Sequence, residues 1–328
     1  MTSRRHQPLL AVALLAAALL ALSAGARCSD GTPTLPDGRS IVDASDATAP
    51  SDARDDAAKA PLLTFGNIEA VKELNSDASE DDPSPRNDLL EIYFERAGNI
   101  FRATRAAITD KWSAPRKIAA LSSTEADSSP RLSGDGLTIY ITSQRTGGTG
   151  SQDIYVSTRK SLTSVAWTTP VEVSELNSKG TDCCTTFDKD DLTMIFVSNR
   201  GGAGDLFIST RAKVDDPWGK PTALAAINTA VRDTNPWLGP QGRLLMFASD
   251  RPGTSGDLDI WIVDLLAAQS DGGVAPLAGT ALATPLPLPG INSAYPDQDP
   301  WLSPDGKTLY FASSRGGSSD IYRARLIE

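Results

Sequence analysis

Between residues 61 and 328 the chain repeats one order of apolar and polar positions five times. The most regular apolar feature is a run of three: Ile92-Tyr93-Phe94, Ile139-Tyr140-Ile141, Met194-Ile195-Phe196, Leu245-Met246-Phe247 and Leu309-Tyr310-Phe311. A strand with one face in water alternates apolar with polar, so three consecutive apolar residues predict a strand covered on both faces. A second run follows each, headed by an acid in Asp153-Ile154-Tyr155, Asp205-Leu206-Phe207, Asp259-Ile260-Trp261 and Asp320-Ile321-Tyr322. The first copy is degenerate and carries Asn99-Ile100-Phe101 there. Gly-rich segments of variable length separate the paired runs and predict hairpins.

Polar positions keep the same register. Each copy opens on Asn75, Ser122, Asn177, Asn228 or Asn292, and five residues later comes an acid: Glu80, Asp127, Asp182, Asp233 or Asp297. Three further on stands Pro83, Pro130, Thr185, Pro236 or Pro300, and five beyond that the turn position Asp88, Asp135, Asp190, Gln241 or Asp305. In copies two to five the apolar run leads into Ser-x-Arg, ending at Arg145, Arg200, Arg251 and Arg315.

Three copies continue into an expected edge strand from Trp112, Trp167 or Trp218, and the Ala- and Pro-rich segment 265–289 is expected to hold the fourth together with an insertion. The last copy has no such strand, while Phe65–Leu74 is an unmatched strand at the other end of the repeat array. An N-terminal strand that completes the last sheet would close a circle. The fold class expected is therefore all-β: a five-bladed β-propeller of four-stranded antiparallel blades, the last closed by the N-terminal strand.

The repeats resemble the TolB-type β-propeller repeat, a WD-repeat-like family of exported bacterial proteins. The resemblance is carried by "LSPDGKTLYFASSRGGSSDIY", "LSGDGLTIYITSQRTGGTGSQDIY" and "LGPQGRLLMFASDRPGTSGDLDIW" and covers residues 61–328. It implies a propeller used as a binding platform, a part of an envelope complex or a gating domain beside an enzyme. TolB itself is similar to a six-bladed propeller with an extra domain, so six blades is the alternative count.

Outside the repeats, Arg4, Arg5, the apolar stretch Leu9–Leu22 and Ala24-Gly25-Ala26 read as an export leader over residues 1–26. Two readings stay open: cleavage after Ala26, or a lipoprotein leader acylated at Cys28. Residues 27–60 are rich in Asp, Ala, Ser, Thr and Pro without helical or strand periodicity, the composition of a disordered linker. The expected localisation is periplasmic or extracellular, with membrane attachment only through a lipid anchor to the outer membrane. A formal net charge of −10 excludes the dense basic face of a sequence-independent nucleic-acid binder.

The single histidine, His6, lies in the leader, so Ser-His-Asp and Cys-His catalysis and the common His-containing zinc sites are excluded from the folded part. Cys183 and Cys184 are adjacent on an expected strand, where neighbours point to opposite faces, and read as small packing residues. Asp135, Asp153, Asp205, Asp259, Asp305 and Asp320, with Arg145, Arg200, Arg251 and Arg315, read as structural positions of the repeat. Glu80, Asp127, Asp182, Asp233 and Asp297 would form a ring on closure. One reading has them bonding within their own loops or to the Ser-x-Arg guanidinium. The other makes them, with Asp81, Asp82 and Asp299, an acidic channel mouth for a calcium ion or a basic partner. Two functions are carried forward. The first is a non-enzymatic exported binding or scaffold module for an envelope protein, peptide or glycan, without a cofactor. The second is a carboxylate-dependent glycoside hydrolase or lyase on the same fold.

Overall fold

The computed structural model describes residues 63–254, 256–265 and 284–327; the leader, the linker and Cys28 lie outside them. Among the described residues twenty strands form five four-stranded antiparallel sheets, so the blade count is five and not six. After β1 (Phe65–Ala70), blade one runs β2 (Glu80–Pro85), β3 (Glu91–Arg96), β4 (Asn99–Thr104) and β5 (Arg116–Lys117). Blade two is β6 (Asp127–Leu132), β7 (Thr138–Ser143), β8 (Asp153–Thr158) and β9 (Val171–Glu172). Blade three is β10 (Asp182–Phe187), β11 (Thr193–Ser198), β12 (Asp205–Thr210) and β13 (Thr222–Ala223). Blade four is β14 (Asp233–Leu238), β15 (Leu244–Ser249), β16 (Asp259–Asp264) and β17 (Leu286–Pro287). Blade five joins β18 (Asp297–Leu302), β19 (Thr308–Ser313) and β20 (Asp320–Leu326) to β1, which pairs antiparallel with β20 from Phe65 opposite Leu326 to Ala70 opposite Tyr322.

The apolar triplets occupy the second strand of each blade, and all their side chains are buried. Each is covered by a neighbouring blade on either face: Met194 and Phe196 cluster with Tyr140 of blade two, and Ile195 with Leu245 and Phe247 of blade four, which is why alternation gives way to a continuous run. Burial of Phe94, Phe196, Phe247 and Phe311 alone contributes on the order of 1.5–3 kcal/mol per side chain. The first strands β2, β6, β10, β14 and β18 pack against one another in sequence and back from β18 to β2, closing the ring.

The expected edge strands shrink to two residues each. Pro115, Pro170, Pro221 and Pro285 stand immediately before them and remove a backbone donor at the point where pairing would extend. In blades one to three the preceding Trp is held instead by the arginine that directly follows the third strand, with Arg105 4.2 Å above Trp112, Arg159 4.9 Å above Trp167 and Arg211 4.2 Å above Trp218. Arg159 also crosses from blade two to the buried Glu91 of blade one at 2.7 Å. Burial works against the Glu91 carboxylate, but Arg159 and Arg102 outweigh it and hold its pKa below the ordinary value.

Candidate functional site

The five repeat acids open the five innermost strands, and every one is fully buried. In blades two to five one carboxylate oxygen meets the Ser-x-Arg guanidinium: Arg145 to Asp127 at 2.7 Å, and Arg200 to Asp182, Arg251 to Asp233 and Arg315 to Asp297 at 2.5 Å each. The other oxygen accepts the backbone N–H and hydroxyl of the residue after the opening Asn or Ser, namely Ser123, Ser178, Thr229 or Ser293. Each arginine also donates to a carbonyl, that of Leu121, Leu176, Ile227 or Ile291, in the segment entering the blade. The arrangement is a clamp: a buried charge pair, with its remaining oxygen satisfied, that fixes where the chain enters each blade.

Blade one builds the same clamp from other residues. Asp127 stands opposite Ser143 across the ladder, but Glu80 stands opposite Arg96. The arginine has moved two residues back, onto the serine's slot, and Glu80 meets it at 2.6 Å while accepting from Ser76. A two-residue turn, Ala97-Gly98, with φ of 47° and 74°, replaces the longer Gly-rich loop.

Two residues beyond each acid, the strand bulges toward the axis. Asp82, Ser129, Cys184, Asn235 and Asp299 all have positive φ, between 48° and 57°, and the pairing register shifts across each of these five positions. A non-glycine residue in this region is strained and needs its surroundings to hold it. Here the five side chains touch in a closed ring. Ser129 donates its N–H to Asp82 at 2.9 Å and its hydroxyl at 3.3 Å. Its oxygen lies 3.6 Å from Cys184 Sγ, Asn235 Nδ2 lies 4.0 Å from that sulfur, and Asn235 donates to Asp299. Asp299 and Asp82 complete the circle through a carboxyl–carboxyl hydrogen bond.

Electrostatics follow from that contact. Burial, then the charges of Asp82 and Asp81, push the Asp299 pKa well above the carboxylate range. Burial raises the Asp82 pKa as well, against the hydrogen bonds from Asp299 and the Ser129 N–H. Asp299 Oδ2 is buried, and no donor of the ring faces it. Beneath the ring lies Arg131, with Nε donating to the Thr185 carbonyl at 3.1 Å and Nη2 to that of Pro236 at 3.4 Å. Burial lowers its pKa to about 10 against the raising effect of Asp82 and Asp299. The cavity enclosed by these residues is about 10 Å³, the space of roughly one water molecule.

Asp81 faces the seam with blade five, accepting from Ser319 Oγ at 2.6 Å and Gln298 Nε2 at 3.2 Å. Beside it, Glu95 has a pKa raised to about 7, by burial first and then by the charges of Asp82, Asp81 and Glu80, although the Gly98 N–H opposes the shift. Glu95 is a member of this cluster that the sequence reading missed. Its signal was present: its slot on the second strand holds Thr142, Val197, Ala248 and Ala312 in the other blades.

The remaining repeat positions hold turns. Asp135 accepts from Ser133 Oγ at 2.6 Å and the Leu137 N–H at 2.8 Å, and Asp305 accepts from Ser303 Oγ at 2.6 Å and the Lys307 N–H at 3.1 Å. Asp153 and Asp259 accept from Gly150 and Gly256 inside their hairpins, while Asp205 and Asp320 begin β12 and β20. Cys183 and Cys184 do not alternate across the sheet as expected. The bulge at Cys184 turns both sulfurs to one side, 2.8 Å apart. Among the described residues, no group of three or more His, Cys, Asp or Glu is arranged to hold a metal ion.

No family profile matches the chain, and no curated protein matches it by sequence. Solved structures do. An α-L-arabinofuranosidase from Lactobacillus brevis is 13% identical with a TM-score of 0.53, over 79% of this chain and 94% of that one. The α-L-arabinofuranosidase PaAbf62A from Podospora anserina, in complex with cellotriose, is 12% identical with a TM-score of 0.51, over 81% and 97%. TolB from Acinetobacter baumannii is 16% identical with a TM-score of 0.46, over 78% of this chain and 56% of that protein. At these identities the likeness is one of fold.

Proposed function

We propose that the chain is a non-catalytic exported propeller that serves as a binding or scaffold module for an envelope protein, peptide or glycan. The observation that carries this reading is the fate of the acids at the mouth of the channel. Five are buried in arginine clamps, and Asp82 and Asp299 bond to each other rather than face each other across a cleft. A glycosidase needs its two carboxyls about 5–9.5 Å apart with the sugar between them, and a cavity of about 10 Å³ holds no sugar ring. Binding is assigned instead to the face that carries the Gly-rich hairpins, whose lengths differ from blade to blade and where Tyr295 is 53% exposed.

The test is turnover. The full chain and the double variant Asp82→Asn/Asp299→Asn are assayed on aryl glycosides, α-L-arabinofuranosides first because two structural neighbours carry that activity in their names. Equal background hydrolysis by both proteins supports the binding module. Hydrolysis that the double variant loses would establish the glycoside hydrolase reading. Binding itself is read by capture from envelope extracts with the full chain and its Tyr295→Ala variant. A partner retained by the first and lost by the second supports the assigned face, and equal retention moves the binding surface elsewhere.

A further inference from the structure

We propose that Cys183 and Cys184 form a reversible vicinal disulfide, a redox modification site whose oxidant is a protein or glutathione disulfide. The proposal stands on geometry peculiar to blade three. All five innermost strands bulge at the same place, but the bulging pair is Asp81 and Asp82 in blade one, Ser128 and Ser129 in two, Thr234 and Asn235 in four, and Gln298 and Asp299 in five. Only in blade three can the pair bond covalently. The positive φ of Cys184 (57°) brings the two sulfurs within 2.8 Å, so a bond of about 2.05 Å requires a shift of less than about 1 Å. No other cysteine occurs between residues 61 and 328 to compete for either thiol.

Reactivity is divided between the two sulfurs. Cys183 is buried, whereas Cys184 is half-buried and lines the axial cavity, so Cys184 makes the first exchange. Its thiolate attacks one sulfur of the oxidant disulfide and releases one thiol. The Cys183 thiolate then attacks the Cys184 sulfur of the mixed disulfide, releasing the second thiol and leaving the Cys183–Cys184 bond. Two protons and two electrons pass from the cysteine pair to the oxidant, whose own S–S bond is broken. The hydrogen bond that the Cys184 thiol donates to Cys183, then burial, pushes that thiol well above its ordinary pKa, so exchange in the folded chain is slow. Consecutive residues have Cα atoms about 3.8 Å apart, closer than the usual range for bridged cysteines, and such a tight ring is readily reopened by thiols. The leader read in the sequence would deliver the pair to an oxidising compartment, where disulfides form and persist.

The experiment equilibrates the purified full chain in buffers of reduced and oxidised glutathione, blocks free thiols with iodoacetamide under denaturing conditions, and maps the tryptic peptide Gly180–Lys189, which contains both cysteines. In oxidised buffer this peptide is expected unalkylated and lighter by two hydrogens, and doubly alkylated once excess reduced glutathione is restored. The Cys183→Ser variant is expected to lose the lighter form and to carry glutathione on Cys184. Double alkylation of the wild-type peptide in oxidised buffer, a stable glutathione adduct on it, or a cross-link to another peptide would each overturn the proposal.

Discussion

Two rings encircle the same axis two residues apart, and they are built on opposite rules. In the clamp ring the side chains repeat: an acid, its arginine and a hydroxyl recur in all five blades, and even degenerate blade one restores the pairing with Glu80 and Arg96. In the axial ring the backbone repeats, with positive φ in every blade, while the side chains diverge into Asp82, Ser129, Cys184, Asn235 and Asp299. A residue type kept across an array serves the unit that repeats. A backbone kept under changing side chains offers five positions that can differ without disturbing the unit, so what is particular to this protein sits in the second ring.

That contrast is broken most directly at a clamp. Asp233→Ala leaves Arg251, whose side chain is 10% exposed, buried without its partner, and is expected to lower stability by about 3–5 kcal/mol in denaturant unfolding. The milder Glu80→Asp withdraws the carboxylate from Arg96 by one methylene and is expected to cost about 1–3 kcal/mol; an unchanged denaturation midpoint would mean that blade one does not depend on its substitute clamp.

Glu95 sharpens the comparison through pH. Its native pKa of about 7 lies above the unfolded value of about 4.3, so between those values the native state binds more protons than the unfolded state. Stability contributed by the neutral carboxyl is therefore complete below about pH 4.3 and is lost as pH rises through 7. Glu95→Gln is expected to raise Tm by about 2–4 °C at pH 8, with the gain vanishing at pH 4; a gain independent of pH would remove titration as its cause.

Smaller effects belong to the axial ring. Ser129→Ala removes the hydroxyl near Asp82 but leaves the backbone N–H in place, and is expected to cost at most about 1 kcal/mol. A loss as large as that of Asp233→Ala would erase the distinction between the rings. Millimolar calcium is expected to leave Tm within about 1 °C, because binding to the native state alone would raise it by mass action. A clear rise would show that the ring binds a cation despite Arg131.

The blade count, the closing strand and the doubly covered apolar triplets were legible because each follows from a local pattern repeated five times. The clamp was legible as one of two readings, since the Ser-x-Arg spacing places a guanidinium within reach of the acid. What could not be read was the bulge. Asp82, Ser129, Cys184, Asn235 and Asp299 share no side-chain type, and positive φ in a non-glycine residue has no one-letter signature. Alternation was accordingly assumed through Cys183 and Cys184, and the two sulfurs were placed on opposite faces. Glu95 was overlooked for the opposite reason: it sits in a strand slot that is chemically plain in every other blade.

The pairing of β1 with β20 also imposes an order of events. Phe65 meets Leu326 and Asn75 bonds to Ile321, a separation of 246 residues along the chain, so blade five cannot be completed until nearly the whole repeat array has been made. Before that moment β20 presents an open edge that a strand from another molecule can occupy. Contacts of such long range also slow folding. The joint that covers β20 in the finished ring is therefore the point at which a chain still being synthesised is most exposed to its neighbours.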